Sequence, residues 1–219
     1  MRRLQARIKE PVNALTHFVT LVAAVSGMAV LLVLVRRSSA AVIVGLVYGA
    51  SMVALYSAST AYHWWKTTSK REVILRRLDH GAINILIAGS ATPIFYFGLQ
   101  GTWRAAMLAV VWSLAVLCGA IQIIFIKAPR WIHTVLYLAL GWVAVVPLPQ
   151  LIRNLPTVAL VLLGAGGLSY TVGAVVYATK KPNFIPGKLG FHEIFHLFVS
   201  AGTAAHFAAI VILMLARLA

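Results

Sequence analysis

The stretch GFHEIFHLFVSAGTAAHFAAIVILMLA, residues 190–216, combines a long apolar run with ionisable side chains near its start. About 20 apolar residues suffice to cross the hydrocarbon core of a membrane, so this run is long enough to span it. His192 and His196 stand four residues apart and therefore share one face of a helix. Imidazoles on one helix face commonly bind zinc. Ionisable groups within a membrane span are energetically costly, and where they occur they usually mark a functional site. The stretch predicts a membrane helix that carries part of a metal site.

The composition of the whole chain is that of a membrane protein. Hydrophobic residues make up 61% of the 219 residues and charged residues only 11%, with a mean hydropathy of +0.91. These values exclude an ordinary soluble domain. We therefore predict an all-α integral membrane protein, a seven-transmembrane helix bundle that forms a single domain over residues 1–219. The predicted spans are 13–35, 40–65, 80–98, 103–126, 131–150, 157–178 and 190–216.

The Lys and Arg residues that give the net charge of +15 are distributed unevenly along the chain, and this distribution indicates its topology in the membrane. Fourteen of the 19 Lys and Arg residues fall on one side of the predicted bundle, among them Arg2, Arg3, Arg7 and Lys9 at the N-terminus. The positive-inside bias places this side, and the N-terminus with it, in the cytoplasm, and the C-terminus outside. Basic loops at a membrane surface contact anionic lipid headgroups, so membrane lipids are expected as partners and nucleic acid is not.

Two local features, the basic N-terminus and the single cysteine, bear on whether the chain has a cleaved signal peptide or an internal disulfide. The basic N-terminus followed by an apolar run also fits a cleaved signal peptide, but the run is longer than a usual signal and lacks a clear cleavage site, which favours a retained span. Cys118 is the single cysteine and falls within a span, so the chain forms no internal disulfide, and packing is the expected role of this thiol.

Only four acidic residues occur in the chain: Glu10, Glu72, Asp79 and Glu193. Glu72 lies among basic residues and is expected to be solvated and paired. Glu10 directly precedes the first span, where it either caps the helix or faces inward. Asp79 is open to two interpretations, an acid at a helix N-terminus stabilised by the helix dipole, or a carboxylate at a metal site.

Ser59 and His63 form a second pair spaced by four residues, at the cytoplasmic end of the second predicted span. The topology brings His63, Asp79, His192 and His196 to a similar depth near the cytoplasmic face. Three neutral imidazoles and a water make an open tetrahedral zinc site. We therefore predict His63, His192 and His196 as zinc ligands, with Asp79 and Ser59 as candidate catalytic groups that bind the water, a ligand or a substrate carbonyl.

The His-Glu-x-x-His pattern at 192–196 also occurs in soluble zinc proteases, where the glutamate is the general base. Such an enzyme needs a further downstream ligand, and no acidic residue follows Glu193. Glu193 is left assisting a zinc-bound water, facing a neighbouring helix or facing the basic inner loops. The other histidines are not predicted as ligands: His206 is too far along its helix and is expected to bond across helices, His80 points about 100° away from Asp79, and His17 lines the bundle interior. His133 receives no role.

Four motifs together resemble the hemolysin III family, which belongs with the progestin and adipoQ receptors and, more distantly, the alkaline ceramidases. They are Glu-Pro-Val-Asn-Ala-Leu-Thr-His17, Ser59-x-x-x-His63, Leu78-Asp79-His80-x-x-Ile with the following Ile-Ala-Gly-Ser-Ala-Thr-Pro93, and His192-x-x-x-His196. The resemblance covers essentially the whole chain. It implies a seven-span fold with a cytoplasmic N-terminus and an intramembrane zinc bound by the three histidines at 63, 192 and 196.

The same resemblance implies supporting roles for Asp79 and Ser59 and a multi-pass location in the bacterial plasma membrane. The long N-terminal region of the animal receptors is absent, so a hormone-receptor role does not carry over. The animal receptors also lack an acid directly after the first histidine of the last motif, so the resemblance assigns no role to Glu193.

Three functional hypotheses follow. The first is a zinc-dependent hydrolase of lipid amides or esters, since an open three-histidine site beside a carboxylate lies where an acyl chain can reach. The second is a pore-forming or cytolytic protein, motivated by the family name. The third is a membrane sensor in which zinc only joins helices. The sequence leaves open the substrate, the choice between catalytic and structural zinc, and the oligomeric state.

Overall fold

A computed structural model of the chain describes residues 8–185 and 188–218. Arg2, Arg3 and Arg7, which contribute to the predicted charge asymmetry, lie outside the described residues. Within these residues the chain folds into helices connected by short loops, and six of the helices are long and apolar enough to cross a membrane. The predicted helical membrane bundle is confirmed. The helices are α1 (Pro11–Leu34), α2 (Ser39–Trp64), α3 (Ser69–Gly98), α4 (Gly101–Ile124), α5 (Arg130–Trp142), α6 (Leu148–Asn154), α7 (Thr157–Thr179) and α8 (Phe191–Leu218).

The predicted fifth span, 131–150, is not one continuous helix. It consists of α5, a 3₁₀ turn at Val143–Val145 and the short helix α6, and the two parts meet at an angle of 54°. Pro147 and Pro149 lie at this break. Proline has no amide hydrogen and clashes with the preceding turn, so two prolines in close succession end a helix. The bundle has seven spans when this bent pair is counted as one.

Helix α3 begins at Ser69 and not at residue 80, where the apolar run begins. The additional turns carry basic residues such as Lys70 and Arg76, so the helix extends beyond its apolar part. Asp79 consequently lies well inside α3. Because the helix dipole acts mainly within the first turn, the interpretation of Asp79 as an acid at a helix N-terminus is wrong.

Helix α3 is the centre of the bundle. Of its most apolar stretch, 72% is buried, compared with 17% for α1. Successive helices from α1 to α4 pack side by side, α7 packs against α8, and α8 also contacts α1 and α3. The first and last long helices therefore meet, and the ends of α1, α2, α3 and α8 surround one region of the bundle.

Small residues permit the close approach of the helices. A Cβ atom at Gly89 of α3 would overlap the Ser51 side chain of α2, and one at Gly166 of α7 would overlap His206 of α8. Such close packing is typical of membrane helices, which gain little from the hydrophobic effect when they associate in lipid. The outer surface instead exposes large apolar side chains on several helices, including Val19, Ile43, Val116 and Leu168. A surface of this kind suits contact with acyl chains.

Candidate metal centre

Three imidazoles converge where the last turn of α2 meets the first turns of α8. One ring nitrogen from each of His63, His192 and His196 lies within 4.8 Å of the others. His63 is fully buried and His196 is 2% exposed. The Nε2 atom of His63 is buried and has no hydrogen-bond partner among the described residues. A buried polar atom without a partner is costly, and a metal ion would satisfy it.

The donor set fits a divalent metal ion. Tetrahedral coordination at about 2.1 Å from each nitrogen would separate the ligand atoms by about 3.4 Å. The 4.8 Å limit is larger, so an ion would draw the three rings slightly together. The ring centroids of His63 and His196 are 4.8 Å apart, and those of His63 and His192 are 5.0 Å apart. The site therefore offers three nitrogen ligands from two helices, which leaves a fourth position for water or substrate.

Glu10 fixes the orientation of the His63 ring. Its Oε2 atom lies 2.7 Å from His63 Nδ1. Burial alone would raise the pKa of Glu10, but the hydrogen bonds from His63 and Asn13 lower it below its usual value. Glu10 is then ionised at neutral pH and can only accept, so His63 donates from Nδ1 and its Nε2 lone pair faces the other two imidazoles. The carboxylate, histidine and metal form a triad of this kind in many metal sites.

Asn13 connects Glu10 to Glu193. Its Nδ2 donates to Glu10 Oε2 at 2.9 Å and to Glu193 Oε1 at 3.3 Å. The other oxygen of Glu193 accepts the backbone N–H of Gly190 at 2.9 Å, just before α8 begins. Of the alternatives left open for Glu193, the structure has the one that faces a neighbouring helix, and the side chain also caps the start of α8.

His17 belongs to the same cluster, although the sequence analysis left it out of the site. Its ring stacks on that of His196, with centroids 3.7 Å apart and planes 11° from parallel. His17 Nδ1 lies 2.7 Å from the Ser59 hydroxyl. Glu10, Asn13 and His17 recur at intervals of three and four residues, which is the spacing of one helix face. This polar face in an otherwise apolar segment is the feature of the sequence from which a place for His17 in the site could have been predicted.

Asp79 and Ser59 lie beside the imidazoles. Asp79 is 8% exposed, its Oδ2 is 3.4 Å from His80 Nδ1, and its carboxylate interacts with the Ser59 hydroxyl. The expectation that His80 points away from Asp79 is wrong, because the two neighbouring side chains approach to ion-pair distance. Ser59, which contacts both His17 and Asp79, joins the carboxylate to the histidine cluster.

Two histidines lie elsewhere. His206 bonds across helices as predicted, with its Nε2 3.3 Å from the carbonyl oxygen of Leu163 on α7. His133 of α5 packs edge-on against His80, with ring centroids 5.6 Å apart. Neither joins the group of three imidazoles.

Comparison with known proteins identifies the family. The family model described as "Haemolysin-III related" matches residues 5–207. The chain is 34% identical to "Hemolysin-3 homolog" of Bacillus subtilis (strain 168) over 203 residues, 91% of this chain and 92% of that protein. It is also 34% identical to "Hemolysin-3" of Bacillus cereus over 210 residues, with 94% and 93% covered.

More distant similarity extends to eukaryotic proteins. "Heptahelical transmembrane protein 3" of Arabidopsis thaliana is 32% identical over 182 residues, which are 74% of this chain and 52% of that protein. The human "Monocyte to macrophage differentiation factor" is 29% identical over 204 residues, 90% of this chain and 81% of that protein. The match of the family model to most of the chain, together with two Bacillus relatives aligned over nearly their full length, shows that the chain belongs to the haemolysin-III related family of multi-pass membrane proteins.

Proposed function

We propose that this protein is a zinc-dependent hydrolase of lipid amides or esters, working near the cytoplasmic face of a bacterial plasma membrane. The observation that carries the proposal is the group formed by His63, His192 and His196. These imidazoles are held inside a lipid-facing bundle, and Asp79 and Ser59 lie next to them. The relatives aligned over nearly their full length come from Bacillus species, which supports a bacterial plasma membrane as the location.

The choice of zinc rests on the chemistry of the donors. Neutral imidazole suits several transition metals, and three protein ligands with one free position, three histidines among the known sets, are the usual arrangement of catalytic zinc. Cys118 lies on α4 and is not a member of the group of possible ligands. When bound, zinc polarises a substrate carbonyl and lowers the pKa of its water to about 7.

Residues around the metal centre orient the ligands, transfer the proton and bind the substrate in the proposed reaction. Glu10 holds the His63 ring by the 2.7 Å hydrogen bond, and the stacked His17 ring supports His196. Asp79 receives the proton of the attacking water and returns it to the leaving nitrogen or oxygen. Ser59 donates a hydrogen bond to the carbonyl oxygen or to the attacking water. Since the site lies among helices whose outer faces are apolar, the proposed substrate would approach it from within the membrane.

The test is release of fatty acid from a panel of lipid amides and esters by purified, zinc-loaded protein. We expect turnover by the wild type. Asp79→Asn should retain zinc and lose about 10²- to 10⁴-fold in rate, the usual contribution of a general acid or base. Glu72→Gln is the matched control, because Glu72 is a half-exposed carboxylate paired with Lys9. Lipids that bind to the wild type without any release of fatty acid would remove the support for a hydrolase.

A second function is motivated by the name of the Bacillus cereus relative, "Hemolysin-3". If this chain forms pores, the metal centre is structural and Asp79→Asn leaves activity intact as long as zinc stays bound. Recordings across planar bilayers containing the purified protein separate the two functions. A zinc-sensitive conductance that survives in Asp79→Asn would favour the pore, and a silent bilayer would exclude it.

A further inference from the structure

A second polar site adjoins the metal centre at the basic end of the bundle. It is a groove of about 420 Å³ between the amino-terminal half of α3, the start of α5 and the end of α7. Its lining includes three cations, Arg76, Arg130 and Lys180, and the indole of Trp131. No acidic residue lines it. The groove therefore concentrates positive charge in a concave surface.

The described acidic residues do not form ion pairs with these cations. The four acids of the chain have other partners: Glu10 with His63, Glu72 with Lys9, Asp79 with His80, and Glu193 with the backbone of Gly190. In the ranges 8–185 and 188–218 no ion pair is formed by Arg76, Arg130 or Lys180. Like charges that share a groove repel one another, so an anion from outside the chain would stabilise the arrangement.

Arg130 is positioned to bind such an anion. Its guanidinium carbon lies 5.2 Å from the ring centroid of Tyr177 and 5.1 Å from that of Phe191. These rings hold the side chain in place, while its buried Nη1 atom has no hydrogen-bond partner among the described residues. Arg130 is also the first residue of α5, where no side chain caps the helix. The free amide groups and the positive end of the helix dipole add to the attraction for an anion.

We propose that this groove binds the phosphate headgroup of an anionic membrane lipid. A planar guanidinium matches phosphate oxygens in a bidentate manner, and the two further cations add to the attraction for the negative charge of the phosphate. The flanking Trp131 is 59% exposed, as expected for an indole at the boundary between lipid and water. A lipid satisfies both features at once, because its phosphate meets the cations while its acyl chains continue along the apolar faces of the helices.

The groove is connected to the metal centre through two aromatic rings. Tyr177 packs against His192 with ring centroids 5.6 Å apart, and it is the same ring over which Arg130 lies. Phe191 also contacts Arg130 and directly precedes His192. A headgroup held by Arg130 therefore places the adjoining ester or amide linkages of the lipid close to the histidines. This part of the inference rests on the proposed hydrolase function and makes a phosphate-bearing lipid its substrate, whereas headgroup binding does not depend on hydrolysis.

The test is lipid binding to detergent-purified, zinc-loaded protein measured by native mass spectrometry. We expect phosphatidic acid and phosphatidylglycerol to bind at least tenfold more tightly than diacylglycerol. Arg130→Gln should abolish that preference, and Arg76→Gln should weaken it. Arg104→Gln is the matched control: Arg104 also lies over an aromatic ring, that of Tyr96, but outside the groove. Zinc content and thermal unfolding establish that each variant is folded.

Several outcomes would overturn the inference. Equal binding of anionic and neutral lipids, or an unchanged preference in both folded Arg130→Gln and Arg76→Gln, would exclude a headgroup site in this groove. Displacement of the bound lipid by inorganic phosphate at similar concentration would assign the groove to free phosphate. If the preference depends on Arg130 but no lipid is hydrolysed, the headgroup site stands and the hydrolase fails. If anionic lipids are bound and hydrolysed equally by wild type and folded Arg130→Gln, the hydrolase stands and the headgroup site fails.

Discussion

Replacement of Glu10 by glutamine tests how the metal centre is held together. The change keeps the shape of the side chain and removes its charge. The 2.7 Å contact with His63 Nδ1 then becomes a hydrogen bond between neutral groups, which is about half as strong as one to a carboxylate. Bonds to charged groups contribute about 1.5–3 kcal/mol and neutral ones about 0.5–1.5 kcal/mol, so the expected loss is about 1–1.5 kcal/mol.

The exposure of Glu10 decides where in this range the effect falls. Its side chain is 34% exposed, so water screens part of the interaction and the lower end applies. Since about 1.4 kcal/mol corresponds to a factor of ten, a loss of about 1 kcal/mol should lower the metal affinity about fivefold. This is somewhat smaller than the losses of about 10- to 100-fold that typically follow removal of groups that orient metal ligands.

Competition between the purified protein and a calibrated zinc chelator measures this affinity. Glu72→Gln supplies the control, because its carboxylate pairs with Lys9 at 2.8 Å and contacts no histidine. We expect the affinity of this control to equal that of the wild type. Wild-type affinity in a correctly folded Glu10→Gln protein would refute the role assigned to the Glu10–His63 hydrogen bond. An equal loss in both variants would show that net charge near the N-terminus, and not this bond, is responsible.

Two further predictions concern stability. Gly166→Ala should lower the midpoint of thermal unfolding, since the added Cβ overlaps His206 and forced packing costs about 1–3 kcal/mol. Gly167→Ala should be neutral, because a Cβ there meets open space. Equal effects of the two substitutions would contradict the close α7–α8 contact. Chelation of the metal should lower the unfolding midpoint of the wild type, because an ion that binds only the folded state at 100 times its dissociation constant stabilises it by about 2.7 kcal/mol. The midpoint of His63→Ala should not respond to chelator, and a response equal to that of the wild type would show that the stabilising ion binds elsewhere.

The number of spans and the convergence of His63, His192 and His196 were predictable because they depend on local patterns. A run of apolar residues reports a span directly, and helical spacing reports which side chains share a face. Short loops then alternate the direction of successive helices, which places the end of α2 and the start of α8 at the same depth. The break in the fifth span was also encoded locally, by Pro147 and Pro149, but hydropathy alone passes over it.

The contacts made by α1 were not predictable in the same way. Glu10, Asn13 and His17 form a polar helix face, yet the spacing does not indicate which helix that face meets. The bond from Glu10 to His63 and the stacking of His17 on His196 depend on the packing of α1 against both α2 and α8. Likewise, Asp79 resembled a helix N-terminal acid because the apolar run begins next to it, whereas the helix itself begins at Ser69. Helical turns that carry charged residues and lie beyond the membrane span are not detected from hydropathy.

The metal content of detergent-purified protein tests the central claim most directly. Mass spectrometry should find about one zinc per chain in the wild type, as expected for a single site of this type, and none in His63→Ala or His192→Ala. His206→Gln is the control and should keep its zinc, since its ring bonds to the Leu163 carbonyl instead. Wild-type protein without any bound metal, or zinc retained in both alanine variants, would contradict the account.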